Sequence, residues 1–138
     1  MNIVILDDSE YKRRHIKQYM DMVVDEAKYK EFAAFHPTLK YLMNHKDEVD
    51  LFMLDWNFPV FQGEMPKDQL GKDFLRTMKR QKIFIPTIIC SSDNIILPGD
   101  YEDIVIDNVK FDSSVYLKPH FEKAIQKQKT LKNTNNKK

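Results

Sequence analysis

Cys90 is the only cysteine in 138 residues, so no internal disulfide can form. It sits in an apolar run, where a small buried side chain is the plain reading. Seven methionines beside a free thiol suit a reducing compartment. No stretch approaches the ~20 apolar residues that span a bilayer, which excludes a membrane helix. The N-terminus, Met1 to Asp8, has no basic segment ahead of its short apolar run. A secretory signal is therefore not expected, and the expected location is cytoplasmic. A surplus of one charge is missing too, with 22 Lys and Arg against 21 Asp and Glu. That balance favours neither nucleic acid nor an anionic membrane as a partner. The four histidines are scattered without metal-ligand spacing and read as surface residues.

What is present fits one soluble domain. At 42% hydrophobic and 31% charged, the composition is ordinary for a globular protein of this length. The expected domain covers residues 1–131. Residues 132–138 have no apolar side chain and are expected to form a disordered tail.

Four apolar runs have strand length: Ile3 to Leu6, Leu51 to Leu54, Ile85 to Cys90, and Val115 to Leu117. Tyr29 to Phe35 is a weaker fifth. Continuous apolar runs point to strands buried on both faces, as in a parallel sheet. Helical spacing fills the gaps. It runs from Tyr11 to Ala27 behind a Ser9 cap, and through Leu39, Leu42 and Met43. It recurs in Phe74, Leu75 and Met78, then in Phe121, Ala124, Ile125 and Leu131. The alternation predicts an α/β fold, a doubly wound five-stranded parallel sheet with helices on both faces. Residues 94–114 break the pattern. Their alternating Asp103-Ile104-Val105-Ile106-Asp107 reads as a strand or hairpin rather than a fourth helix.

Polar residues follow the strands: Asp7 and Asp8, Asp55, Ser91 and Lys118. In an open parallel sheet, ligands bind beyond the carboxyl ends of the strands. Three carboxylates brought together there need a counter-charge, and a hard cation such as Mg²⁺ supplies one. A lysine and a hydroxyl would then steady a transferring phosphoryl group, while one carboxylate acts as nucleophile.

This set resembles the receiver domain of two-component response regulators, of the flavodoxin-like and CheY-like fold. Asp7-Asp8 is similar to the family's acidic pair, and Asp55 to its phosphoacceptor, with Pro59 at the family's loop proline. Ser91 matches the hydroxyl residue after the fourth strand. Lys118-Pro119 matches the Lys-Pro after the fifth, where the family's peptide bond is usually cis. The resemblance implies Mg²⁺ held by Asp8, Asp55 and the Asn57 carbonyl, with Asp7 acting through water. It implies that Ser91 and Lys118 contact the phosphoryl oxygens. It further implies a histidine kinase or phosphotransfer protein as donor, a downstream protein as target, and signalling or phosphorelay without an attached output domain. Asn57 and Asp93 resemble the positions that tune hydrolysis.

Three departures accompany the match. The loop from Asn57 to Gly71 is longer than usual, and the fourth helix is atypical. Val115 occupies the usual aromatic switch position, with Tyr116 one step along. Lys12-Arg13-Arg14 reads as a solvated helix face, and Trp56 as either an interface residue or one packed on the loop. Two other functions compete. A haloacid-dehalogenase-like phosphatase would need a second aspartate where Asn57 stands. A receiver-shaped interaction scaffold would not be phosphorylated.

Overall fold

The computed structural model describes residues 1–136 apart from Ile96 and Pro98, with side chains through Leu131. Five strands form one parallel sheet: β1 (Asn2–Leu6), β2 (Lys28–Phe32), β3 (Leu51–Leu54), β4 (Thr87–Ser91) and β5 (Val105–Lys110). Their order is β2-β1-β3-β4-β5. The helices are α1 (Glu10–Val23), α2 (Phe35–His45), α3 (Leu70–Arg80) and α4 (Lys118–Asn136). A single 3₁₀ turn, Gly99–Tyr101, lies between β4 and β5. This is the doubly wound α/β architecture expected.

Alternation along the central strands divides the core into two layers. Val4, Leu6, Phe52 and Leu54 face one way, under α3 through Phe74, Leu75 and Met78 and under α2 through Leu42. Ile3, Ile5, Leu51 and Met53 face the other, under α1 through Ile16 and Met20 and under α4 through Phe121, Ala124 and Ile125. The inner strands are apolar apart from Asn2, Thr87 and Ser91, because both faces are covered.

The edge strands read differently. β5 is Val105–Lys110, not the Val115–Leu117 run, and it pairs with β4 so that Ser91 faces Lys110. As an edge strand with a wet face, β5 carries Asp107, Asn108 and Lys110, so it lacks the continuous apolar run that marks the others. Residues 111–117 instead form a connection pinned by Asp112, whose carboxylate accepts the Ser114 N–H at 2.9 Å and its hydroxyl at 2.7 Å. Val115 and Tyr116 are exposed there, while Phe111 and Leu117 at its two ends reach the core. Lys118 therefore opens a helix rather than closing a strand. No cis peptide bond occurs among the described residues, Lys118–Pro119 included.

The β4–β5 crossover carries no α-helix among its described residues. Tyr101 and Ile104 are buried in its place and complete the layer beneath α3. In α2, Thr38 and Leu42 form the buried ridge, and Met43 turns out to solvent. Thr38 tolerates that position because its hydroxyl donates to the Ala34 carbonyl at 2.7 Å. Leu131 is exposed, and Gln128 is the buried residue one turn earlier. The tail expected from residue 132 coincides with the end of α4, traced through Asn136; its side chains lie outside the described residues. Among the described residues no helix is long and apolar enough to cross a membrane.

Candidate functional site

Strand order reverses between β1 and β3, and a crevice opens beyond the carboxyl ends of strands at such a point. Asp7 follows β1 and Asp55 follows β3, held in step by the Asp55 N–H donating to the Leu6 carbonyl at 2.9 Å. A cavity of about 400 Å³ lies here. Asp7, Asp8, Asp55, Asn57 and Ser91 all line it, together with Lys12, Asp93 and Phe111. Lys118 is not among its lining residues. Its ammonium sits 3.4 Å from Glu122, one turn along α4.

The acidic pair is fixed by the start of α1. Ser9 is the N-cap and accepts the Lys12 N–H at 3.2 Å. The Ser9 N–H donates in turn to Asp7 Oδ1 at 2.9 Å. Asp7 Oδ2 is buried, and the Lys12 ammonium lies 3.0 Å from it. Carboxylate oxygens of Asp7, Asp8 and Asp55 lie within 4.8 Å of one another. A cluster of hard oxygen donors from three carboxylates fits a divalent cation.

Asp55 is oriented through one oxygen. Its Oδ1 accepts the Trp56 N–H at 2.8 Å and the Lys12 ammonium at 2.9 Å. Oδ2 accepts no protein donor among the described residues. Ser91 Oγ accepts the Asp93 N–H at 3.2 Å, which leaves the hydroxyl proton available to donate. The Asn57 side chain is engaged at both ends. Its Nδ2 donates to Asp93 Oδ2 at 2.5 Å, and its Oδ1 accepts the Gln69 N–H at 2.8 Å. The carbonyl of Asn57 is in neither bond.

The long loop is built rather than slack. Phe58 bridges to Lys67 in antiparallel fashion and is wholly buried. The carbonyls of Pro59 and Val60 accept the first N–H groups of α2, from Phe35 at 3.0 Å and His36 at 3.2 Å. They do the work of the side-chain cap that α2 lacks. Trp56 is buried in the core beside α3, which decides between its two sequence readings.

Lys12 was read from sequence as solvated, and the structure corrects this. Its side chain is 8% exposed and lies 3.0 Å from Asp7 Oδ2 as well as 2.9 Å from Asp55 Oδ1. Burial disfavours its ammonium, but Asp7 and then Asp55 outweigh that and hold its pKa above the ordinary lysine value. Burial raises the carboxyl of Asp7, reinforced by Asp55 and opposed by Lys12. Burial likewise raises Asp55, with Lys12 opposing. A signal was available in the sequence: Lys12, Ile16 and Met20 follow one another at i+4, and these three are the buried residues of α1.

Comparison with solved structures gives one answer. The response regulatory domain of mrkE from Klebsiella pneumoniae superposes with a TM-score of 0.71 at 15% identity, covering 95% of this chain and 97% of that one. A CheY-like receiver domain from Methanospirillum hungatei gives 0.70 at 15% identity, covering 96% and 97%. The fold is that of a response regulator receiver domain. A signal receiver domain of a two-component histidine kinase from Clostridium thermocellum agrees, with a TM-score of 0.67 at 18% identity over 92% and 95% of the two chains. No protein-family model matches the chain, and no curated protein does. Within the receiver fold, the acidic pair, Asp55 and Ser91 stand at the carboxyl ends of β1, β3 and β4, around one cavity.

Proposed function

We propose that this receiver accepts a phosphoryl group on Asp55 in a Mg²⁺-dependent reaction. The observation that carries the proposal is the state of the Asp55 carboxylate. One oxygen is held by Trp56 and Lys12, and the other is without a protein donor, in a cavity with three more acids, Asp7, Asp8 and Asp93, and the Ser91 hydroxyl. Asp55 Oδ2 forms a bond to phosphorus as the donor's bond to phosphorus breaks. With an acyl phosphate donor the leaving group departs as a carboxylate, and no proton moves. Ser91 donates its hydroxyl to a phosphoryl oxygen. Mg²⁺, held by Asp8, Asp55 and the Asn57 carbonyl with Asp7 behind a water, would neutralise charge on the phosphoryl oxygens. A histidine kinase or phosphotransfer protein is the proposed donor in the cell. The response is binding to a downstream protein, because the new dianion draws the surrounding loops toward it.

The test is intact mass after incubation with acetyl phosphate, with and without Mg²⁺, beside Asp55→Asn. A gain of one phosphoryl group that requires Mg²⁺ and disappears in the variant is the expected result. No gain, or an equal gain in the variant, overturns the proposal in favour of an unphosphorylated scaffold.

The bond between Asn57 and Asp93 joins the loops after β3 and β4 beside Asp55. Asn57→Ala and Asp93→Ala should each loosen that closure, admit water to the acyl phosphate and shorten its half-life several-fold. Following loss of the phosphoryl group by mass after donor removal would show this; unchanged half-lives in both variants would refute it.

A further inference from the structure

The ammonium facing Asp55 comes from the start of α1, not from the end of the fifth strand. β5 ends at Lys110, which is exposed, and the next residue, Phe111, is buried and lines the cavity. The Phe111 N–H donates to the Ser91 carbonyl at 2.8 Å, so a side chain from this strand end does enter the site. That side chain is an aromatic ring. The Lys12 ammonium lies 5.7 Å from its centroid, between Asp7 and Asp55. Lys118, the lysine marked by the Lys-Pro pair, is turned to Glu122.

The geometry points to Lys12 as the residue that binds the phosphoryl group on Asp55, with Phe111 filling the place of a strand-end lysine. This rests on the phosphorylation proposed above. The ammonium already touches the carboxylate that would be modified, and it is shielded from water, where a charge acts over its full strength. Position along the helix supports the same conclusion. Lys12 is in the first turn of α1, where the helix dipole disfavours a cation. Burial disfavours it further. Stability alone would not place a lysine there; two carboxylates and an incoming phosphoryl dianion would. When Oδ2 of Asp55 becomes bonded to phosphorus, the negative charge moves outward onto the phosphoryl oxygens. Lys12 can follow by rotating about its flexible stem, exchanging Asp55 Oδ1 for a phosphoryl oxygen while keeping Asp7. No proton is transferred in that exchange.

The bland alternative is that Lys12 is only the counter-ion of Asp7, and a double-mutant cycle separates the two. Lys12→Met keeps the bulk of the stem and removes the charge. Initial rates of Mg²⁺-dependent phosphorylation by acetyl phosphate are measured for the wild type, Lys12→Met, Asp7→Asn and the double variant. Folding is checked in each by circular dichroism and by emission of Trp56, the chain's only tryptophan. The expected loss for Lys12→Met is about 100-fold, as for removal of one oriented donor to a developing anion. A loss of similar size should persist in the Asp7→Asn background, where a mere counter-ion would no longer be needed. Should Lys12→Met fail to fold, the double variant compared with Asp7→Asn gives the same reading with the charge balanced. Lys118→Ala, away from the cavity, should stay within about twofold of wild type, as for an exposed ion pair. Lys12 loses its assignment if Lys12→Met costs nothing in the Asp7→Asn background, or if Lys118→Ala carries the loss. A wild type that takes no phosphoryl group would instead overturn the phosphorylation proposal itself.

Discussion

Truncating Phe74 to alanine is expected to cost ~3–5 kcal/mol of stability, a large part of the total for a domain of this size. Phe74 is fully buried on α3 and its ring meets three others. The centroid of Phe35 on α2 is 4.8 Å away, that of Phe52 on β3 is 5.3 Å, and that of Phe58 in the long loop is 6.4 Å. One side chain thus joins two helices, the sheet and the loop that follows Asp55. Its removal leaves a cavity bordered by rigid rings that cannot close over it. Chemical denaturation should show a lower midpoint with an unchanged slope, and Phe74→Leu should fall between wild type and alanine. A loss below about 1 kcal/mol would mean that the loop and α2 repack freely, contrary to the close-packed core seen here.

Gly71→Ala tests how tightly the phosphoacceptor is tied to the same helix. A Cβ at position 71 would lie 2.6 Å from the Asp55 carbonyl oxygen, 2.8 Å from Trp56 Cε3 and 3.0 Å from Trp56 Cα. Two of those atoms are backbone, so a side-chain rotation cannot relieve the clash. The Gly71 N–H also donates to the Trp56 carbonyl at 2.9 Å, which holds the two segments at this separation. The position requires glycine for space, since its φ is not in the left-handed region. Overpacking of this kind costs ~1–3 kcal/mol. Because the displaced backbone belongs to Asp55 and Trp56, phosphorylation should slow about 10-fold or more even where the variant stays folded. Denaturation curves and phosphorylation rates measured together would check both. Wild-type stability with a wild-type rate would show that α3 simply moves away.

How much was legible follows from burial. β1, β3 and β4 lie between two layers of helices, so each carries a continuous apolar run, and such runs stand out in a sequence. The carboxyl ends of those strands are marked by the abrupt change to Asp7, Asp55 and Ser91, which made most of the cavity's polar residues readable. β5 was misplaced for the opposite reason. Its Asp107 and Asn108 serve a half-wet edge, while the apolar Val115 and Tyr116 sit exposed in a connection. That displacement took Lys118 with it, since a Lys-Pro pair looks the same whether it closes a strand or opens a helix.

The sequence by itself determined the parallel sheet, the two-sided helical cover and the grouping of acids and a hydroxyl at its carboxyl edge. Those features depend on apolar periodicity and on residues adjacent along the chain. Which lysine meets Asp55 was decided only by the tertiary structure. Lys12 and Asp55 are 43 positions apart, and their 2.9 Å contact exists because α1 packs on one face of the sheet with its Lys12–Ile16–Met20 ridge turned inward. A lysine on a helix reads as solvated until the packing shows which face is buried and what carboxylates wait beneath it.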